Sequence, residues 1–450
     1  MMAQASQSVA RVMLWGRQVG TLIWTNNRGY FEYDRAFQSS GIEPSPITMP
    51  LSDQSYSFPA LSRETFKGLP GFLADSLPDK FGNRLINQWL ERQGRSADSF
   101  SPLERLCYIG SRGMGALEFK PALGHLNETS QPIEIAELVA LTNEALSQKQ
   151  AMVVDLAGAD TSHKQALDKI ISVGTSAGGA RAKAVIAWNP ETQEVRSGQV
   201  KTDAGFGYWL LKFDGVEENR DHEVLADPKG YSLVEYAYYL MAIACGITMT
   251  ECRIFKENGR SHFMTRRFDR KDGGDKIHMQ SLCGLAHYDF NQAGAYSYEQ
   301  AIGVMRHLDL PKPEFEQFFR RVVFNVVARN QDDHTKNIAF LMDKAGRWSL
   351  SPAYDLTYCN GRGWTSQHQM TVNGKRNHFV TDDLLAVAQH ADIRPTKAKS
   401  IISEILTQVR RWPEFASQAR VPEQYPGHTN GPSWMELIQQ DHRLAWEELE

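Results

Sequence analysis

The sequence predicts an α+β protein with a β-rich amino-terminal part and a mainly helical carboxy-terminal part. Three observations predict it. Residues 10 to 60 carry short strand-forming runs separated by turn residues. A block from Ile171 to Phe213 reads as strand, glycine-rich loop and strand. From about residue 296 onward the apolar residues recur at helical spacing.

Composition bounds the rest. A chain of 450 residues corresponds to about two to three domains. Apolar content of 42% and charged content of 23% fit a globular protein. The net charge of −4, from 49 basic and 53 acidic residues, does not advertise nucleic-acid binding. The five cysteines form no CxxC pair, which argues against a disulfide framework or a zinc site and for a reducing compartment. No apolar run approaches the ~20 residues needed to span a bilayer, and the first residues lack the charged start and apolar core of a secretory signal. A cytoplasmic location with no membrane association is the expectation.

In chain order, Val12–Trp15 and Val19–Trp24 read as a hairpin around Gly16, with Tyr30–Tyr33 as a third strand. Pro44, Pro46 and Pro50 mark an irregular loop. Phe81, Leu85 and Trp89 fall on one helical face, widened by Ile86 and Leu90, and Leu77-Pro78-Asp79 starts that helix. A helix over Leu103–Ile109 ends at Gly110 before a strand at Leu117–Phe119. Helices are expected over Ile133–Gln148 and within Ala151–Ala166. Strands follow at Ala184–Trp188 and Tyr208–Phe213, then a helix from about Ser232 to Ala244 with Glu235 in its first turn. Residues 252–256 and 262–266 form a strand pair around the favoured turn Asn258-Gly259. The carboxy-terminal helices are expected at 297–307, 312–329, 382–391, 396–412 and 434–449. The domain boundaries expected are 1–130, 131–258 and 259–450.

The chemistry gathers in one stretch, Asn330–Tyr358, which reads NQDDHTKNIAFLMDKAGRWSLSPAYDLTY. Asp332 precedes Asn337 by five positions; two short apolar runs around a polar break then lead to Asp355. An acid, an amide, a β-hairpin and a second acid match the layout of a phosphoryl-transfer catalytic loop, Asp-x-x-x-x-Asn followed by a metal-holding Asp. The hairpin would return the chain so that Asp355 ends near Asn337 and both hold a metal ion. Of the pair Asp332-Asp333, only Asp332 has the required spacing, so Asp333 is left a supporting role. The plainer alternatives are an exposed polar turn for Asp332-Asp333 and a helix cap for Asp355.

Upstream, Gly174-Thr175-Ser176-Ala177-Gly178-Gly179-Ala180-Arg181-Ala182-Lys183 can approach phosphate oxygens with bare backbone N–H groups. It is not a Walker A loop, because a strand follows where a helix should. Lys212 interrupts the apolar run Trp209–Phe213 and calls for an anion such as nucleotide phosphate or Glu235. A solvated edge-strand lysine and a helix-dipole charge are the plainer readings of Lys212 and Glu235. The order glycine loop, Lys, Glu, Asp-x-x-x-x-Asn, hairpin, Asp is harder to obtain by chance than any one member. His278 and His287 have no cysteine or carboxylate at ligand spacing and read as ordinary polar histidines.

Further motifs sharpen this. They are Leu77-Pro78-Asp79 with Arg84, Ile109-Gly110-Ser111-Arg112 with Gly115-Ala116, and Gly179-Ala180-x-x-Lys183. Three more are Arg267-Phe268-Asp269-Arg270, Asp332-Asp333-His334-x-Lys336-Asn337 and Pro352-x-Tyr354-Asp355. Together they resemble the HipA-type serine/threonine kinase toxins of bacterial type II toxin–antitoxin systems. The segment from His278 to Phe290 departs from the best-known members and is similar to a divergent subgroup. The resemblance implies a two-lobed, protein-kinase-like fold. It implies Asp332 as catalytic acid/base and Asn337 and Asp355 as Mg²⁺ ligands. Gly178, Gly179, Ala180, Arg181, Ala182, Lys183, Lys212, Glu235, His334 and Tyr354 would line an ATP site. The backbone of Arg266, Arg267 and Phe268 would hold the adenine edge, and Arg266 stands where familiar members have an acidic residue. It also implies autophosphorylation at Ser176, with Thr175 and Ser172 as neighbours. The expected partners are a protein substrate, typically an aminoacyl-tRNA synthetase, and a small helix-turn-helix antitoxin through which DNA is reached indirectly. A catalytically silent binding or corepressor subunit, a small-molecule kinase and a nuclease are the competing readings. The nuclease leaves the glycine loop and Lys212 unexplained.

Overall fold

The computed structural model describes residues 8–92, 94–123, 181–214, 230–271, 273–423 and 433–445, with residues 135, 138 and 142. The expected helices over 133–148 and 151–166, and the glycine loop through Ala180, lie outside the described residues. The chain is α+β and divides into two compact units, each discontinuous in sequence. Unit 1 holds residues 1–218, 264–280 and 341–347; unit 2 holds 219–263, 281–340 and 348–450.

Unit 1 contains two antiparallel sheets. The first has strands β1 (Val9–Leu14), β2 (Arg17–Thr25), β3 (Arg28–Tyr33), β4 (Ser55–Tyr56) and β5 (Leu117–Lys120) in the order β4-β3-β2-β1-β5. The first hairpin is tight because Trp15 and Gly16 both adopt positive φ, as a two-residue turn requires. Val12, Leu14, Leu22 and Phe31 bury the inner face, and Phe31 meets Phe72 edge-on at 5.8 Å. The helix Lys80–Arg92 starts where Asp79 Oδ1 accepts the Gly82 N–H at 2.6 Å. The helix Pro102–Ile109 carries a full Ser101–Glu104 capping box and stops at Gly110.

The second sheet is built from β6 (Lys183–Trp188), β7 (Val195–Ser197) and β8 (Gly207–Lys212), ordered β7-β6-β8 and continued by residues 264–266. All six β6 residues are buried. Residues 266–280 tie this sheet to the first. The Arg267 N–H donates to the Tyr208 carbonyl at 2.8 Å, and the Trp15 indole donates to the Lys276 carbonyl at 2.9 Å. At Gly115, φ is +71° and an added Cβ would lie 3.0 Å from the Met279 nitrogen, so only glycine fits without strain.

Unit 2 is mainly helical. The helices are Tyr231–Ala244, Leu282–Ala286, Tyr298–His307, Lys312–Val327, Thr381–His390, Pro395–Val409, Trp412–Ala419 and Trp434–Asp441. Lys312–Val327 is the central one: Phe315, Phe318, Phe319, Val322, Val323 and Val326 recur at helical spacing and are buried. Tyr238 packs edge-on against Phe324 at 6.0 Å and Trp412 at 5.3 Å, joining three helices in one core. Two expectations are corrected. The segment after Val409 restarts as a separate helix, Trp412–Ala419, whose first turn holds Pro413. The last helix ends at Asp441 instead of 449, and residues 442–445 are not helical.

Candidate active site

The site is built at the end of the central helix of unit 2. The helix stops after Val327, and Arg329 takes φ +57°, turning the chain out of the helical path. The next residues are Asn330–Asp333. Asn330 Nδ2 donates to Asn325 Oδ1 at 2.9 Å, which fixes the loop to the helix that delivers it.

Asp332 and Asp333 have opposite surroundings. Asp333 is buried and saturated: Oδ2 accepts from the Tyr298 hydroxyl at 2.6 Å and from His368 Nδ1 at 2.7 Å, and Oδ1 accepts the Gln369 N–H at 2.7 Å. Burial alone would raise its pKa; His368, Tyr298 and the Gln369 amide outweigh it and hold the carboxyl below the ordinary range. Arg443 donates to His368 Nε2 at 2.9 Å. That nitrogen is therefore the acceptor, and the Nδ1–H is the one that points to Asp333.

Asp332 keeps 40% of its side-chain surface open. Oδ1 accepts the Trp364 indole N–H at 3.0 Å, and His334 Nε2 lies 3.8 Å from the same oxygen. Crowding by the surrounding chain pushes its pKa up, helped by the like charges of Asp355 and Asp333; His334 and Trp364 pull it down without cancelling the rise. A carboxylate with a raised pKa is a stronger base than an ordinary one.

Asn337 Nδ2 donates to the Asp332 carbonyl at 2.8 Å, which turns Asn337 Oδ1 away from the loop. The predicted hairpin forms from Ala339–Met342 and Trp348–Leu350, closed by Asp343 and Gly346. It brings back Tyr354, whose hydroxyl donates to the Lys336 carbonyl at 2.6 Å, and Asp355, which sits in the left-handed region at φ +52°. A non-glycine residue held there stores strain of about 1–3 kcal/mol and occurs preferentially at functional positions. His334 Nδ1 is buried without a partner among the described residues.

A second pair of anchors comes from the stretch after Tyr358. Asp441 Oδ2 accepts from the Tyr358 hydroxyl and from Asn360 Nδ2, and the Asp441 carbonyl accepts from Arg329 Nε at 2.8 Å. Arg443 Nη2 reaches Gln331 Oε1 at 3.2 Å and Asn377 Oδ1 at 2.5 Å. Trp364, His368, Tyr298, Asp441 and Arg443 were not singled out by the sequence. They lie far from the motif in sequence and carry no spacing signal.

In unit 1, Lys183 and Lys212 are directly opposed across β6 and β8, and both are buried. β8 lies inside its sheet, so Lys212 is not a solvated edge lysine. Like charges opposite one another in a sheet are unfavourable unless an anion compensates. Arg181 and Ala182 enter β6; Gly178, Gly179, Ala180 and Ser176 lie outside the described residues. Arg267 is committed to structure: Nε and Nη2 hold Asp269 at 2.9 and 2.7 Å, and its N–H is used by Tyr208. In unit 2, Glu235 is buried in the second turn of its helix, not the first, so a simple helix-dipole charge does not account for it. His278 is buried against the Pro44 carbonyl at 3.1 Å in unit 1, its pKa pushed down to about 4 by burial. His287 sits in unit 2 with its pKa likewise down to about 4.

Comparison with known proteins agrees with these motifs. Residues 10–120 match the HipA N-terminal domain, and residues 175–412, just over half of the chain, match the HipA-like C-terminal domain. HipA of Shewanella oneidensis MR-1, solved with HipB and operator DNA, superposes with a TM-score of 0.64 at 18% identity, covering 96% of this chain and 95% of that one. A Haemophilus influenzae protein named "Putative kinase" is 24% identical over 160 residues, 32% of this chain and 47% of its own length. "Putative kinase Y4mE" of Sinorhizobium fredii is 25% identical over 125 residues, 26% of this chain and 30% of its own length. The chain thus spans half or less of these two relatives. No helix among the described residues is long and apolar enough to cross a membrane. With both domain models matched in order along one α+β chain, the protein belongs to the HipA family.

Proposed function

We propose that this protein is an ATP- and Mg²⁺-dependent serine/threonine protein kinase, of two-lobed kinase-like architecture, acting as the toxin of a toxin–antitoxin pair. One observation carries the reading. A solvent-reached carboxylate of raised basicity, Asp332, is bonded through its own carbonyl to Asn337, and a second carboxylate, Asp355, is close enough to repel it.

The residues fit a hard cation. Asn337 Oδ1 and the Asp355 carboxylate are oxygen donors of the kind Mg²⁺ prefers, and positive charge held there would ease the repulsion that Asp355 exerts on Asp332. When bound, Mg²⁺ would offset the negative charge of the phosphates. Asp332 accepts the proton of the acceptor hydroxyl, and its raised pKa suits that task. Lys183, Lys212 and His334 offset phosphate charge; the glycine loop through Ala182, the main chain of Arg266–Phe268, Tyr354 and Glu235 complete the nucleotide assignment that the family implies. Ser176 is the assigned autophosphorylation site. A phosphoserine adds about −1.5 to −2 charges and would repel nucleotide, so Ser176→Asp should bind ATP more weakly than wild type.

The Shewanella relative was solved with HipB and operator DNA; by analogy the partner here is a DNA-binding antitoxin. The acceptor is assigned to a protein, with an aminoacyl-tRNA synthetase as the first candidate. The test is incubation with labelled ATP and Mg²⁺, alone and with cell extract, beside Asp332→Asn. Label on the protein itself or on one extract protein, lost in the variant, supports the reading. Equal label from the variant removes Asp332 from its role.

A further inference from the structure

The family motifs end at Asp355, yet the group that touches the proposed base comes from beyond them. Trp364 lies in the short 3-10 turn Trp364–Ser366, and its indole N–H donates to Asp332 Oδ1 at 3.0 Å. The contact is built from both sides by two glutamines. Gln331, the residue before Asp332, donates Nε2 to the Thr365 carbonyl at 2.5 Å. Gln369 Nε2 answers from the other segment, donating to the Trp364 carbonyl at 2.6 Å and to the Gln331 carbonyl at 3.1 Å. The Gln369 N–H is held in turn by Asp333. Thr365 and Gln369 are buried, so this turn is packed in place against the loop that carries Asp332. Those bonds hold the main chain from which the indole projects.

The two oxygens of Asp332 are therefore unlike. Oδ1 is taken by the indole, while Oδ2 makes no hydrogen bond among the described residues. An ionised carboxylate is an acceptor at both oxygens. With one fixed, the group cannot turn freely, and the other oxygen is left to meet a hydroxyl proton.

We propose that Trp364 is a positioning residue: its indole N–H fixes Oδ1 of Asp332 so that Oδ2 receives the proton of the acceptor hydroxyl. This rests on the kinase reading above. In the step, the hydroxyl O–H bond breaks as its oxygen bonds to the transferred phosphorus. The proton goes to Asp332 Oδ2, and the phosphorus–oxygen bond to the leaving nucleoside diphosphate breaks. Trp364 keeps its own proton throughout.

The test is phosphoryl transfer in wild type, Trp364→Phe and Trp364→His, with kcat separated from the KM for the acceptor and ATP affinity measured on its own. Phenylalanine keeps an aromatic ring but has no N–H; histidine restores a ring N–H. Trp364→Phe should lower kcat on the order of 10-fold with KM and ATP affinity unchanged, and Trp364→His should recover part of the loss. Wild-type kcat in Trp364→Phe overturns the inference while leaving the kinase reading intact. No transfer from wild type at any pH overturns the kinase reading and the inference together. The hydrogen bond has its own readout. The Trp364 indole proton resonance, assigned by its loss in Trp364→Phe, should shift on Asp332→Asn, and an unmoved resonance counts against the contact itself.

Discussion

Asp269 in unit 1 and Asp332 in unit 2 are the same side chain in opposite surroundings. Asp269 is fully buried and takes four donors: Arg267 Nε at 2.9 Å, and Arg267 Nη2, Arg270 Nη1 and the Gly115 N–H, each at 2.7 Å. Burial would raise its pKa, but the two guanidiniums and the Gly115 amide hold it far below the ordinary carboxylate range. Asp332 takes one donor and is pushed the other way. The two sites separate a carboxylate saturated with donors from one left open. Where every lone pair is filled, the proton has nowhere to go and the residue ties segments together. Where one oxygen is left open and like charges crowd it, the group can accept a proton.

The largest effect is expected at Asp269. Asp269→Asn should cost about 3–5 kcal/mol, because it leaves buried guanidinium charge uncompensated; denaturant unfolding reads this, and a loss below about 1 kcal/mol would refute the structural role. Asp333→Asn comes next, at about 1–3 kcal/mol for disturbing three buried hydrogen bonds, with phosphoryl transfer falling as well. Asp332→Asn should show the reverse pattern: transfer down by roughly 10²–10⁴-fold with stability at neutral pH unchanged or slightly higher.

The pH dependence sharpens the same contrast. The depressed pKa of Asp269 contributes stability that is present above the unfolded value of about 3.9 and is lost as pH falls through the folded value. Asp332 has the opposite sign: its contribution is present below that unfolded value and is lost as pH rises through the raised folded one. Unfolding curves from pH 5 downward should fall for wild type and fall less for Asp269→Asn. At the small end, breaking the exposed Arg411–Glu414 pair with Glu414→Gln should leave Tm unmoved within error, since such pairs are screened by water.

Much of the candidate site was legible because spacing carries it. The five-residue step from Asp332 to Asn337, the hairpin and Asp355 could be read in order, and the strands and long helices followed from periodicity and caps. Trp364, His368 and Tyr298 could not be read this way. Their roles arise where separate segments meet, 27 to 35 positions apart, and a tryptophan or tyrosine in sequence looks the same whether it fills a core or donates to a carboxylate. Glu235 shows the same limit on a smaller scale, because helix starts are read to within a residue or two.

The clasp made by Asp441 and Arg443 has a consequence for synthesis. Both Arg329 and Gln331 find their partners 112 positions further along the chain. A ribosome making this protein in order therefore finishes the Asp332 loop well before the residues that steady it. Until those arrive, the nascent loop lacks six bonds that Asp441 and Arg443 supply around it, so its final form trails its own translation by 112 positions.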